Sequence, residues 1–515
     1  MDLERCARTG HPQDEQHSLR LRRMGIDTYQ EPVIYMRSDC HVCRAEGFEA
    51  QARIQVEAGG RSILATLNVV GDKLLEPGEA ALSEAAWRRL GAREGDPLIL
   101  SHPEHLESLS RVRAKAYGGR LSSQDLDAIV ADISVGRYSD VELSSFITAC
   151  AGERLDLEEI VGLTRAMIRA GERLDWGRTP VMDKHCVGGL PGNRTTMIVV
   201  PIISSCGLTI PKTSSRAITS PAGTADAMET VAPVCLDLAT MRRVVEQEGG
   251  CIVWGGAMSL SPADDVLIRV ERALDLDSTG QLVASVLSKK VAAGSTHVVI
   301  DIPVGPTAKV RTAAAASALE RQLVQVGRAV DLEVGVIVTD GSQPVGRGIG
   351  PALEAADVIS VLEGRPDAPA DLRERALLLA EKILESAAHV PAGKGRELAE
   401  SVLDDGRAWK KFRAICEAQG GMRTLPKAPH SRAVHASHSG RVTRIDNRRL
   451  ARVAKLAGAP KSPAAGLVLH TPLGTAVEPG QPLFTVHAEA PGELEYALTY
   501  ACTRPEIVVV EEQGR

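Results

Sequence analysis

"DKHCVGGLPGNRTT", residues 183–196, is entered from the short β-like run "TPVMD" (179–183) and leads into the apolar run "TTMIVVPIISSCG" (195–207). The first run predicts a strand, and the second a helix that begins at Thr195 or Thr196 and is ended by Gly207. Strand, glycine-bearing loop and helix in that order are the unit of an α/β fold. Adjacent Gly188 and Gly189 let backbone N–H groups approach a ligand closely, and a helix N-terminus adds unpaired donors and a dipole that favours an anion. Phosphate is the guest this implies, with Lys184 as a point charge, Thr196 as a hydroxyl and Arg194 as a second cation. The spacing matches neither the Walker A loop nor the dinucleotide fingerprint. The same residues would also build a plain strand-to-helix turn whose Lys, His and Arg are solvated.

Outward from this stretch the pattern alternates short β runs, Gly-rich loops and helices. Examples are "LTIPKTS" then "GTADAMETV", "THVVIDIPVG", and "EVGVIVTDG" then "GPALEAADVISVL". Two long helices are predicted around "DLRERALLLAEKILESA" and "ELAESVLDDGRAWKKFRAICEAQG". Upstream, Ser139 with Glu142 and Asp156 with Glu159 have the spacing of capping boxes ahead of apolar-periodic stretches, the second ending at Gly171. Before them, β-rich runs around one helix, "SEAAWRRLGA", predict a small barrel-like domain, and after "PHSRAVHASHSG" the chain becomes β-rich again, "YALTYACTR" included.

The expected architecture is a multidomain α/β chain: a helical domain and an α/β domain with a central mixed sheet, preceded by the barrel-like domain and followed by a β-rich C-terminal subdomain. Its boundaries are a flexible leader at 1–30, the N-terminal β-rich domain at 31–103 and the helical domain at 104–178, to which 262–293 returns. The α/β domain takes 179–261 and 294–428, and the C-terminal subdomain 429–515.

A length of 515 residues suits several domains, and 44 % apolar with 24 % charged residues is ordinary globular composition. A net charge of −6 and 3 % aromatic residues supply neither the basic footprint nor the stacking platforms of a nucleic-acid binder. The N-terminus is polar with no apolar run of signal or membrane length, so a cytoplasmic protein with no membrane partner is expected. Ten scattered cysteines imply no disulfide framework, and Cys40 and Cys43 lack the second ligand pair that zinc needs. Neither a hydrolase elbow nor an H-E-x-x-H motif is present.

A second cluster, "PKTSSRAITSPAGTADAMET" (211–230), again follows a β run and opens a helix at Gly223 and Thr224; from Lys212 to Ala222 it holds five hydroxyl residues and an Arg. Two such loops suggest one anion gripped from both sides, the alternative being a Ser/Thr-rich loop bonded only to itself. In a third cluster, "RVERALDLDSTGQLVASVLSKK" (269–290), Asp277 or Ser278 can cap a helix, and Ser285 and Lys289 share one helical face. Lys309 follows the Gly-Pro loop of "VGPTAKV", and "DGSQPVGRGIG" (340–350) reads as a structural turn.

Together, "DKHCVGGLPGNRTT", "IPKTSSRAITSPAGTADAMET" and "LVASVLSKK" resemble the thymidine phosphorylase family, and more closely its AMP phosphorylase branch, from near Glu104 to the C-terminus. The β-rich N-terminal domain is similar to the extra domain of that branch. The resemblance implies cleavage of an N-glycosidic bond by orthophosphate as co-substrate. The products are a free base and a sugar 1-phosphate, or ribose 1,5-bisphosphate from a nucleoside monophosphate. It implies no metal or cofactor, small-molecule substrates, and a homodimer or larger homo-oligomer.

By position, Lys184, Cys186, Thr196, Ser214 and Thr224 correspond to phosphate-holding residues. Gly189, Ser215, Arg216, Ala217, Ile218, Thr219, Ser220, Thr224, Ser285 and Lys309 correspond to nucleotide-binding residues. Asp277 falls where the AMP branch has its proton donor, and His185 stands with it and Lys289 in the catalytic set. Lys289 matches a base-reading Lys of thymidine phosphorylases, and Arg269 their base-reading Arg with a small slip in register. The chain departs from thymidine phosphorylases at Cys186, where they have Ser, and at Ala217 and Ile218, where they have glycines, which makes the pocket bulkier.

Overall fold

The computed structural model describes residues 18–71, 73–217, 220–258, 260–274, 276 and 278–512, in two compact units, Met1–Ala149 and Cys150–Arg515. In the first unit six strands close a barrel, in the order Ser18–Arg23, Glu79–Leu82, Val33–Arg37, Arg61–Val70, Arg53–Ala58 and Pro97–Ser101. Along Arg53–Ala58 every second residue is buried, Ile54, Val56 and Ala58 facing the barrel core. The helix Glu84–Leu90 packs Trp87 against that core and is capped by Ser83, whose Oγ accepts the Ala86 N–H at 3.3 Å.

The strand Ser18–Arg23 lies inside the stretch expected to be a flexible leader. Leu19 and Leu21 alternate inward between exposed arginines, a signal too short to stand out in a charge-rich segment. Cys40 and Cys43 are buried among the apolar residues of the barrel domain. The helices Glu107–Ala116, Ser123–Ser134 and Asp140–Cys150 complete this unit. Ser139 and Glu142 form the predicted cap, Ser139 Oγ accepting the Glu142 N–H at 3.3 Å and Glu142 Oε2 the Ser139 N–H at 2.6 Å.

The second unit opens with the helix Leu157–Ala170, boxed by Asp156 and Glu159 and ended at Gly171, where a Cβ would stand 2.2 Å from the Leu260 carbonyl oxygen. The helices Pro262–Leu274 and Thr279–Ala292 pack on it. Three parallel strands, Glu333–Asp340, His297–Val304 and Met182–Cys186, lie beside the parallel pair Ile210–Ser214 and Gly250–Trp254, and the Val181–Thr209 bridge joins the two groups. The sequence reading expected a mixed sheet; every pairing here is parallel because each strand returns through a helical crossover. Met182–Cys186 and Ile210–Ser214 therefore end on the same edge, and both glycine loops leave from it. Ligands bind at such carboxyl ends in open α/β sheets.

The helix Thr196–Ser205 is apolar all round and is the core of this unit: Met197, Ile198, Val199, Val200, Ile202 and Ile203 are fully buried, with Ala370–Ser386 and Arg407–Ala418 packed on it. It fixes the far end of the first loop rigidly. The second of the predicted long helices is two, Gly395–Asp404 and Arg407–Ala418, because Gly406 takes a left-handed φ of +80° between them.

The C-terminal part builds two antiparallel sheets and two helices, Asn447–Leu456 and Pro491–Cys502, around one apolar core. "YALTYACTR", read as a strand, is largely helical: Leu494, Ala497, Leu498 and Ala501 recur at helical spacing and are buried, and Pro491 opens the helix. No helix among the described residues is long and apolar enough to cross a membrane.

Candidate active site

The first loop is held from beneath by buried polar contacts. Lys184 is 1 % exposed, and its Nζ donates to Thr195 Oγ1 at 2.7 Å. Asn193 Nδ2 donates to Asp301 Oδ2 at 3.0 Å and to Cys186 Sγ at 3.3 Å, while Thr339 donates to the other oxygen of Asp301 at 2.6 Å. Asp301, on the neighbouring strand, thus fixes the loop's Asn193. Burial lowers the pKa of Lys184 and pushes the Cys186 thiol up to about 11, so Cys186 is a neutral thiol rather than a thiolate facing an anion. Thr196 is buried at the first position of its helix.

Gly189 has a φ of +80°, and a Cβ there would stand 2.4 Å from the Lys309 backbone nitrogen. The first loop and the Lys309 loop therefore touch backbone to backbone. Gly189→Ala is expected to lose about 2 kcal/mol or more in denaturant unfolding, from left-handed strain plus that clash.

Arg194 joins the two loops. Its NH1 donates to Thr224 Oγ1 at 2.9 Å and its NH2 to the Ala222 carbonyl at 3.2 Å, while its Nε pairs with the buried Glu354. Because Thr224 Oγ1 accepts from Arg194, its own hydrogen is left to donate elsewhere, the polarity an anion requires. Ser214 ends its strand with a buried Oγ that has no hydrogen-bond partner among the described residues. The Ser215 carbonyl meets the Ala225 N–H at 3.4 Å, and Ser215 itself is exposed. Asp226 closes the turn, its Oδ2 accepting the N–H groups of Ala217 at 2.6 Å and Gly223 at 2.8 Å. Ser220 Oγ donates to the Ala222 carbonyl at 2.9 Å. Ile218, Thr219 and Asp277 lie outside the described residues.

Arg216 has partners already: Glu229 takes its NH1 at 2.5 Å and NH2 at 3.1 Å, Asp226 lies 3.3 Å away, and the guanidinium stacks on Trp254 at 5.0 Å. The Glu229 hydrogen bonds and charge raise its pKa further.

On the helical side, Ser278 Oγ accepts the Gln281 N–H at 3.5 Å and caps Thr279–Ala292, which presents half-buried Ser285 and Lys289. Lys289 forms an ion pair with Asp264, and although burial opposes it, Asp264, Asp265 and Glu271 raise its pKa, so it is a firm cation. Arg269 is half-buried on Pro262–Leu274.

His185 is half-buried. Burial first, then the charges of Lys290, Lys212, Lys184 and Lys289, hold its pKa well below the ordinary 6.5. It is a neutral imidazole at neutral pH, suited to hydrogen bonding rather than to neutralising phosphate. Below about pH 6.5 the unfolded chain takes up the His185 proton and the folded chain does not, so this residue's contribution to stability is full above that pH and falls as pH drops through it. Histidine nitrogen NMR shifts still neutral at pH ~6 would check this, as would a smaller acid loss of stability in His185→Gln.

Sequence reasoning did not single out Asp183, Asn193, Asp264, Asp301 or Glu354 as site residues. Asp183, Asn193, Asp264 and Glu354 each contact a residue that was, Asp301 acts through Asn193, and only the fold brings Asp301 and Glu354 to the first loop.

Comparison with known proteins adds to this geometry. Residues 178–409 match the description "Glycosyl transferase family, a/b domain", residues 110–171 "Glycosyl transferase family, helical bundle domain", and residues 441–507 "Pyrimidine nucleoside phosphorylase C-terminal domain". A protein of Polaromonas sp. (strain JS666) named "Putative thymidine phosphorylase" is 65 % identical, over 97 % of this chain and 98 % of its own length. Similarly named proteins of Acidovorax sp. (strain JS42) and Legionella pneumophila (strain Paris) are 64 % and 61 % identical, over 98 % and 97 % of this chain and 98 % and 96 % of theirs. Among solved structures, anthranilate phosphoribosyltransferase from Thermus thermophilus shares the fold with a TM-score of 0.50 at 19 % identity, over 60 % of this chain and 98 % of that one.

Proposed function

The chain belongs to the thymidine phosphorylase family and is a pentosyltransferase, and from that premise we propose that it cleaves a pyrimidine nucleoside or nucleoside 5′-monophosphate with orthophosphate. The C1′–N bond breaks with its electron pair going to the base, and a phosphate oxygen forms the new bond to C1′. The products are free base and (deoxy)ribose 1-phosphate, or ribose 1,5-bisphosphate from a monophosphate. Orthophosphate is the co-substrate, with no metal or organic cofactor, and the enzyme acts in the cytoplasm as a homodimer or larger homo-oligomer.

One observation carries this reading. Lys184 is a fully buried ammonium with a hydroxyl for its hydrogen-bond partner and, among the described residues, no carboxylate in ion-pair contact. A buried cation is stable when an anion meets it. The Ser214 Oγ and the Thr224 hydroxyl hydrogen that Arg194 does not use supply donors from the second loop, and Thr196 another from the helix start. Phosphate held there lies where positive charge develops on the sugar, and fixed donors need no reorganisation as it develops. Lys289, kept charged by Asp264, would meet the charge on the departing base. Asp277 takes the proton-donor role on the resemblance alone.

A 5′-phosphate needs its own cation. Arg216 is matched by Glu229 and Asp226, and Lys309 stands against Gly189 of the first loop. The AMP, CMP or UMP reading therefore rests on Lys309. Rates of base release from thymidine, uridine, AMP, CMP and UMP, with and without phosphate, test the whole reading. Phosphate-dependent release is expected, and the preferred substrate distinguishes nucleoside from monophosphate. Tight nucleotide binding with no release would instead make the chain a nucleotide-binding sensor.

A further inference from the structure

We propose that Asp183 is a positioning residue of this active site, its buried carboxylate holding in register the three segments that carry Lys184, Ser214 and Lys289. The proposal rests on the phosphorolytic reading above. Asp183 has no exposed surface. Its Oδ1 accepts the Lys184 N–H at 2.6 Å and lies 3.3 Å from Lys212 Nζ; its Oδ2 accepts from Lys290 Nζ at 2.8 Å and from Ser295 Oγ at 3.4 Å. Two contacts to each oxygen use the whole acceptor capacity of a carboxylate.

The partners are placed tellingly. Lys184 is the next residue in the chain. Lys212 stands two before Ser214, on the same face of that strand, and also donates to the Thr213 carbonyl at 2.6 Å. Lys290 adjoins Lys289 on the helix Thr279–Ala292. Backbone pairing between the strands of Lys184 and Ser214 is confined, among the described residues, to Val181, Met182 and Thr209. Beyond that point, short of the Arg194 link between the loops, the carboxylate ties one strand to the other and both to the helix. Burial would raise the pKa of Asp183, but Lys212 and Lys290 outweigh it and hold the group ionised.

Because the Lys212 tie serves the phosphate side and the Lys290 tie the base side, the loss of either is resolved by ligand, which a purely structural role would not produce. Steady-state kinetics of Lys212→Met, Lys290→Met and Asp183→Asn with both substrates varied test this. Lys212→Met is expected to raise KM for phosphate by about tenfold or more and to spare the nucleoside; Lys290→Met does the reverse, and Asp183→Asn raises both. Asp446→Ala, which removes the cap of the helix Asn447–Leu456, serves as the stability control: its Tm falls and both KM values stay. Equal shifts of both constants in Lys212→Met and Lys290→Met, or no shift in either, overturn the proposal, and these two variants decide it even if Asp183→Asn does not fold. If the unmodified protein releases no base, the phosphorolytic reading fails, and calorimetric titration of the same variants with orthophosphate and with nucleoside reads the same split in Kd. Its presence there upholds Asp183; its absence, or no binding of either ligand, removes it.

Discussion

Lys184→Met is expected to lower phosphate-dependent base release by about a thousandfold while leaving the fold intact. The physical reason is asymmetry between ligand and protein. In the protein alone the ammonium has been taken out of water and given one hydroxyl, Thr195 Oγ1, and burial already pulls its pKa down. Methionine fills similar volume with no charge to desolvate, so Tm should hold or rise. Thr195 keeps a role without the lysine, since its Oγ1 also donates to Asn193 Oδ1 at 3.3 Å. Phosphate loses a charge-assisted donor inside a water-poor site, where such donors are worth most. Turnover with phosphate and a thermal melt on one preparation check both halves. A variant that retains wild-type phosphorolysis would remove Lys184 from the site.

The second large effect is at Glu354. Glu354→Ala leaves Arg194 buried with no carboxylate, and removing one partner of a buried pair costs about 3–5 kcal/mol. Glu354 Oε1 also accepts the Gly350 N–H at 3.1 Å, so the turn before the helix Pro351–Leu362 loosens as well. Denaturant unfolding reads the loss. In Arg194→Met/Glu354→Leu, where both charges are replaced by apolar groups, much of the stability should return. Activity should not, because the Arg194 hydrogen bonds to Thr224 and Ala222 that hold the second loop to the first are then gone. Recovery of stability without recovery of phosphate affinity separates the two roles of Arg194.

The same residues show how far the sequence reaches. Gly189, Lys184, Ser214 and Thr224 stand out because backbone freedom, charge and hydroxyls are concentrated at strand-to-helix junctions, and such junctions are local. Asp301 and Glu354 do not stand out, because an acid on a strand or in a helix has no local mark of what it faces; Glu354 lies 160 positions from Arg194. Arg216 was visible as a cation in a promising loop, but Glu229, thirteen positions on, already balances it. The strand Ser18–Arg23 escaped notice because its partners, Glu79–Leu82 and Pro97–Ser101, are distant in the chain. "YALTYACTR" reads as a strand because its β-prone residues outweigh its helical spacing, which is plain only with Leu494, outside the stretch.

By itself, then, the order of residues determined the alternation of strand, loop and helix, the two anion loops and their family, all written within about twenty consecutive positions each by period, glycine and cap. Tertiary structure decided which charges are still unmatched. Lys184 and Arg216 are both cations in glycine and hydroxyl loops, and packing alone leaves the first, among the described residues, without a carboxylate in contact and gives the second to Glu229 and Asp226. Electrostatic energy depends on separation and burial in space, and neither quantity can be read from separation along the chain.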